Sequence, residues 1–435
     1  MRATTDYPHY GCIGIGAGPA NLSLASLLYP HTEISNLFLD RKITFDWHDG
    51  QQLPDTTLQV SILKDLVSLA DPTSGFSFLS YLHARGRIYH FINAQFDAVP
   101  RREFRNYLQW AAARNENIVF GENVLSVDFD DTFVVRTDRR TVTADNLSVG
   151  VGNRPWVPPL AADLPDEHQY HVSDVITRGQ DLVGRRVCVV GGGQSGAETF
   201  LDLISRSPRQ RPKTVSWVTR RRNYFPIDDS PFTNDFYTPS YSDHHFGLSS
   251  AQRAEFNANQ VLSSDGISES TLRQIYQRVY GLRFIDGAED LVTLLPHREV
   301  VRVRRSDDGC EVELAAGDRV DRIDCDVIIW ATGFRAAPMD FLDPIRTRLC
   351  REGNEFRIDA DFAVQWDGPA DHNIFVHNAA EQQRGLADRN LSLIAWRSQR
   401  IVNRLRGVRG TDQLPSFLDW AATTNAEPVA ASVLP

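Results

Sequence analysis

An α/β fold with two Rossmann-like units and a small helical insertion is what this sequence predicts, on three observations. Two glycine-rich turns, Gly16-Ala17-Gly18-Pro19-Ala20-Asn21 and Gly191-Gly192-Gly193-Gln194-Ser195-Gly196, each follow a β-branched apolar run and open a helical pattern. Strand alternation disappears from Asp228 to about Arg283 and returns from Val292. At 435 residues and 42% hydrophobic content, the chain can bury the cores that several domains need.

Taken in order, the run Gly11-Cys12-Ile13-Gly14-Ile15 reads as a buried strand, and Leu22 to Leu28 as the helix after the first turn. The strand Asn36-Leu37-Phe38-Leu39 ends in Asp40, and a Trp47-His48 loop precedes an amphipathic helix near Arg102 to Arg114. Thr132 to Thr137 alternates as a strand, Leu147 to Gly152 reads as a buried strand running into a turn, and Pro155-Trp156-Val157-Pro158-Pro159 breaks regular structure. Arg186-Val187-Cys188-Val189-Val190 leads the second turn, and Val215 to Thr219 ends in Arg220-Arg221-Arg222. Short helices follow, with Ser268 or Ser270 available as a cap. Val292 to Leu295, Glu299 to Val303 and Cys310 to Leu314 are expected to complete the second unit's sheet. Asp326 to Phe334 reads as a buried strand and small-residue turn that re-enter the first unit, and a last helix spans Ser392 to Arg404. The division expected is residues 1–170 and 328–435 for the first unit, 171–227 and 291–327 for the second, and 228–290 for the insertion. The tail from Glu427 is expected to be mobile.

The turns have defined physical tasks. Gly16 and Gly191 permit the tight bend, Gly18 and Gly193 let a pyrophosphate approach bare backbone, and the helix that follows offers free N–H groups at its positive end. Pro19, Asn21, Gln194, Ser195 and Gly196 complete the two turns. The end of the next strand lies where a ribose 2′ position would sit. Asp40 there accepts from a free ribose hydroxyl and repels a phosphate, which suits FAD. The cluster Arg220, Arg221 and Arg222 suits the 2′-phosphate of NADPH. Both units are thus expected to be dinucleotide-binding domains, one for FAD and one for NADPH.

A formal net charge of −10 argues against a nucleic-acid surface. No apolar run reaches transmembrane length, and the start lacks a secretory pattern, so a cytoplasmic protein is expected. The five scattered cysteines read as buried thiols, and the lack of a Cys-x-x-Cys pair disfavours disulfide-reducing flavin chemistry. Asp243-His244-His245 has no further ligand spacing, so no metal is expected.

The two turns, with Leu63-Lys64-Asp65-Leu66, Ser230-Pro231-Phe232-Thr233-Asn234-Asp235, Ala331-Thr332-Gly333-Phe334 and Asn390-Leu391-Ser392-Leu393, resemble the siderophore-pathway N-hydroxylating flavin monooxygenases. The resemblance runs from about Gly11 to Arg404 and is greatest to the lysine N6-hydroxylases and the cadaverine or putrescine N-hydroxylases. It implies hydride transfer from NADPH to FAD, capture of O2 as a C4a-hydroperoxyflavin, and attack by a neutral primary amine to give a hydroxylamine. Most of a side-chain amine is protonated at neutral pH, its reference pKa being about 10.4, so the site must select or create the neutral form.

By that resemblance Lys64 contacts the substrate carboxylate in the amino-acid hydroxylases, but the diamine enzymes resemble this motif too, so lysine, cadaverine and putrescine all stay open. By the same resemblance Gln59 contacts the flavin region, and Asn234 holds the substrate as in the ornithine enzymes. Trp47, His48, Thr332 and Gly333 join the FAD set, Leu391 and Ser392 line the flavin and substrate pocket, and Ser264 joins the substrate set. Lys64, Asn234 and Ser392 are the implied catalytic residues. Where ornithine enzymes carry Asn-Tyr-Ser, this chain has Ser263-Ser264-Asp265-Gly266-Ile267, which resembles the lysine and diamine branch. Asn21 stands where the dinucleotide fingerprint has glycine and is expected to loosen the helix-to-strand approach slightly. Two other readings stay open at this point. One is a flavin-dependent NADPH oxidase, reductase or C/S-oxygenating monooxygenase, although His168 to Asp174 lacks the Phe-x-Gly-x-x-x-His stretch of Baeyer–Villiger enzymes. The other is a non-enzymatic redox-sensing flavoprotein. A homo-oligomer is compatible with all three.

Overall fold

The computed structural model describes residues 7–307, 309–410 and 416–420. The tail from Glu427 therefore lies outside the described residues. The first unit is built on a seven-stranded sheet in which His9–Ile15 lies between Asn36–Asp40 and Thr141–Val149, parallel to both. Ile118–Phe120 extends the parallel side, and Val124–Asp130 with Thr132–Thr137 forms an antiparallel meander on the other. Ile374–Val376 returns much later in the chain to pair with Thr141–Val149. Helices Pro19–Leu28 and Arg101–Arg114 cover one face, burying Leu22, Leu24, Phe104, Tyr107 and Leu108.

The second unit is a five-stranded parallel sheet in the order Val292–Pro296, Thr214–Thr219, Arg186–Val190, Val327–Trp330, Gln169–His171. Apart from the edge strand Val292–Pro296, its near-continuous burial follows from helices on its face, chiefly Gln194–Ser205, whose Phe200 stacks on Trp217. Here the strand pairing departs from two expectations. Val327–Trp330, expected to begin the return to the first unit, lies in the middle of the second sheet, because its partners Arg186–Val190 and Gln169–His171 are far away in sequence. Only Val292–Pro296 of the three later strands joins that sheet. Glu299–Ser306, Gly309–Ala316 and Arg319–Cys325 form a separate antiparallel sheet of three strands.

The two passages of the chain between the units, Asn153–Pro155 and Phe334–Ala336, run side by side as an antiparallel pair. The insertion comprises Thr233–Tyr237, Pro239–Gly247, Ser250–Asn259 and Glu269–Phe284, with Ser249 and Gln252 forming a capping box. Ser268 occupies the N-cap of the last of these, without a side-chain cap bond. Cys12, Cys188, Cys310 and Cys325 are buried free thiols, whereas Cys350 is exposed, contrary to the expectation that all five are buried. No helix among the described residues is long and apolar enough to cross a membrane.

Candidate active site

Both glycine turns present an uncapped helix end to open space. Gly18 and Gly193 are the N-caps of their helices, neither end has a side-chain cap bond, and a Cβ at either glycine would meet nothing within 4 Å. The first N–H groups of each helix are thus available to an anion. Gly16 and Gly191 are different. Their φ values are +86° and +141°, and a Cβ would lie 2.6 Å from the Gly150 carbonyl or 2.1 Å from that of Ala331. A Cβ on Gly196 would lie 2.3 Å from the Gly191 carbonyl, so the second turn packs directly on its own helix.

Asn21 does the opposite of loosening the first turn. Fully buried, it directs its amide nitrogen to the carbonyls of Gly16, Ser148 and Ile15 at 2.6, 3.1 and 3.2 Å, while its oxygen accepts from the Ser148 hydroxyl at 2.7 Å. Ser148 in turn meets His377 at 2.9 Å. A polar staple replaces the close approach that glycine gives elsewhere. Asp40 sits behind the same turn, one oxygen accepting from Ala17 N and the other from Lys42 N, both at 2.8 Å. Each oxygen keeps a lone pair for a ribose hydroxyl.

At the second turn the arginine cluster divides. Arg221 donates to the Gly192 carbonyl at 3.3 Å and the Asp265 carbonyl at 2.5 Å, bracing the turn against the insertion. Arg220 and Arg222 are exposed. The Gln194 side chain is engaged within the protein: its oxygen accepts from Ser268 N at 2.8 Å and its nitrogen donates to Glu198 at 2.9 Å. Ser195 opens the same helix, its carbonyl accepting from Thr199.

The loop that carries Gln59 and Lys64 is ordered by Asp65. This buried carboxylate accepts from Val67 N, Ser68 N, the Ser68 hydroxyl and Phe78 N at 2.6 to 2.9 Å. Lys64 is half-buried, with its ammonium 5.8 Å from the centre of the Tyr237 ring. Burial alone lowers its pKa, and no carboxylate among the described residues pairs with it. Tyr237, itself buried, donates to the Ser263 carbonyl at 2.5 Å, so one aromatic ring joins Lys64 to two parts of the insertion. Its hydroxyl pKa is pushed up to about 12 by burial, then by Asp265 and Glu381. Asn234, on the same short helix, is exposed and closes its own loop by donating to the Asp229 carbonyl at 2.8 Å. Ser264 and Gln59 are exposed.

Trp47, His48, Phe334 and His171 form an edge-to-face aromatic row, with ring centres 5.2, 5.8 and 5.0 Å apart in turn. His48 is open to solvent but walled in by protein, which pushes its pKa down to about 4, helped by Arg101 and Lys42. Gly333, with φ of +82°, gives its carbonyl to His171 at 3.0 Å, and the Thr332 hydroxyl donates to the Trp156 carbonyl. Leu391 packs at the edge of the first unit's helical core. Ser392 is buried, and its hydroxyl donates to the Asn390 side-chain oxygen at 2.7 Å, closing a turn.

The sequence profile of the L-lysine 6-monooxygenase/L-ornithine 5-monooxygenase family matches residues 8–336. The chain belongs to this family. It is 36% identical to an L-lysine N6-monooxygenase of Escherichia coli over 98% of this chain and all of that protein. Among solved structures, it is similar to the FAD-bound cadaverine monooxygenase of the desferrioxamine pathway of Erwinia amylovora. That match has a TM-score of 0.86 at 28% identity and covers 94% of this chain and 99% of the other. The ornithine N-hydroxylase of Kutzneria sp. 744, solved with reduced FAD, NADP+ and L-ornithine, matches with a TM-score of 0.85 at 29% identity, over 92% and 99%.

Two features of this family member escaped the sequence reading. Tyr237 carries no local signal, because its contacts with Lys64 and Ser263 are made across the chain. The pair Arg101–Glu198, at 2.7 and 2.9 Å, joins the first turn of helix Arg101–Arg114 to helix Gln194–Ser205. A signal for it was present: two arginines in a helix's first turn oppose the helix dipole, which marks them for a tertiary partner.

Proposed function

We propose that this chain is an NADPH- and O2-dependent flavin N-monooxygenase that hydroxylates the terminal amine of L-lysine, for hydroxamate siderophore biosynthesis. One observation carries the choice of lysine over a diamine: Lys64 is a half-buried cation with no carboxylate partner among the described residues. A carboxylate on the substrate would satisfy it. The second ammonium of cadaverine or putrescine would be repelled by it. The 36% identity to the lysine enzyme supports the same choice.

The residues present fit the two nucleotides. The free helix end at Gly18, with Asp40 behind it, would hold the FAD pyrophosphate and ribose, and the end at Gly193 that of NADPH, with Arg220 and Arg222 facing its 2′-phosphate. When bound and reduced, the flavin supplies activated oxygen. The protein's part is position and proton control. Lys64, steadied over Tyr237, takes the α-carboxylate and so sets how far the ε-amine extends, while His48, its pKa lowered by its surroundings, adds no positive charge beside the aromatic row. Buried thiols and the demand for NADPH support a cytoplasmic location.

The test is hydroxylamine formation by purified protein with FAD, NADPH and each of lysine, ornithine, cadaverine and putrescine. Lysine should give the highest kcat/KM. NADPH consumption that yields only peroxide with all four amines would overturn the proposal.

A further inference from the structure

The pair Arg101–Glu198 sits where three parts of the molecule meet. Arg101 belongs to the first unit, and its backbone N–H donates to the Thr56 carbonyl at 2.9 Å, at the root of the loop bearing Gln59 and Lys64. Its guanidinium grips both Glu198 oxygens, and the two side chains are only 15% and 8% exposed. Glu198 lies one helical turn beyond Gln194, at the start of the second unit's helix, and accepts from Gln194 at 2.9 Å. Gln194 then engages Ser268, the N-cap of an insertion helix. Four side chains thus tie the candidate flavin-side loop, the second glycine turn and the insertion into one polar chain. The covalent connections between the units are just the antiparallel pair Asn153–Pro155 and Phe334–Ala336, a narrow ribbon that leaves twist to be fixed by contacts.

We propose that Arg101, Glu198, Gln194 and Ser268 form a positioning joint for hydride transfer, holding the second glycine turn at a set distance and angle from the flavin-side loop. The transfer it serves moves a proton with two electrons from the dihydronicotinamide, which is oxidised, to the flavin, which is reduced. The four side chains exchange no proton in it. Their role is geometric, and misplacement by about 1 Å can cost about 100-fold in such a step. The joint rests on the two-nucleotide part of the proposed function but not on the identity of the amine.

The experiment compares wild type, Arg101→Met, Glu198→Gln and the exchanged pair Arg101→Glu with Glu198→Arg. Three quantities are read: anaerobic flavin reduction by NADPH without amine, NADP+ affinity by titration, and amide hydrogen exchange of residues 56–64 and 191–198 without nucleotide. Arg101→Met should slow the limiting reduction rate by about tenfold or more while leaving the NADP+ Kd within about twofold, and exchange should rise in both segments together. Glu198→Gln keeps the shape and should fall between, and the exchanged pair should regain part of the rate. Unchanged reduction in both single variants would overturn the joint. So would a raised Kd with the limiting rate unchanged, since these residues would then be binding the nucleotide directly. Because no amine is present, failure of the wild type to make hydroxylamine would count against the proposed function and leave this result standing.

Discussion

Asn21 illustrates how a single side chain can depart from a sequence fingerprint and still serve it. Its carboxamide meets three carbonyls and one hydroxyl in a fully buried setting, so removing it strands several polar groups. Asn21→Gly restores the fingerprint yet should destabilise the protein by about 2 kcal/mol and speed FAD loss, as read by chemical unfolding and flavin release. A more stable variant would contradict the staple. The arginines after Thr219 allow a sharper test, because Arg221 is already bonded to two carbonyls and its neighbours are exposed. Replacing Arg220 and Arg222 with glutamine should weaken NADPH about tenfold or more and leave NADH nearly unchanged. Arg221→Gln should disturb both nucleotides alike, because it braces the turn itself. Equal losses from both replacements would remove the phosphate assignment.

At the scale of elements, the insertion has a built-in acid sensitivity. His245 is fully buried on helix Pro239–Gly247, near the Gln383 carbonyl and Asn257, and burial pushes its pKa down to about 4. Unfolded, the same group would take a proton near pH 6.5. Between pH 6.5 and 4 the unfolded state therefore binds more protons, and stability falls as the pH drops through that window, by about 3 kcal/mol at most for this group. His377, buried and shifted the same way, adds to the slope. Melting temperature should decline across this range, and His245→Gln should flatten the decline; an unchanged slope would discount His245. The elements that bear the glycine turns were legible in the sequence, since strand, turn and helix are contiguous there and the turn chemistry is strict. Those that were misplaced are strands by local signal alone: Val327–Trp330 is a short, fully buried apolar run, and Gly309–Ala316 alternates between buried and half-buried positions. A period of two states that a strand exists, not which sheet receives it.

Across the whole molecule, the candidate residues lie on segments with no common local pattern: the loop at Lys64, the short helix at Tyr237 and the turn at Ser263 come together, and the aromatic row from Trp47 to His171 forms a second group. The sequence marked Lys64 through its resemblance to a family, but not the ring that steadies it or the absence of a carboxylate beside it among the described residues. Both depend on contacts more than 170 residues away along the chain, from Lys64 to Tyr237. The same holds for Arg101 and Glu198, separated by 97 positions and joined by a two-pronged ion pair. The account's central claim is that Lys64 reads the carboxylate of lysine. It is tested most directly by the ratio of kcat/KM for hydroxylamine formation, lysine over cadaverine, in wild type and in Lys64→Ala. The wild-type ratio should exceed one and should fall by about tenfold or more in the variant, through a higher KM for lysine with cadaverine little changed. A wild-type preference for cadaverine, or a ratio unmoved by the substitution, would contradict it.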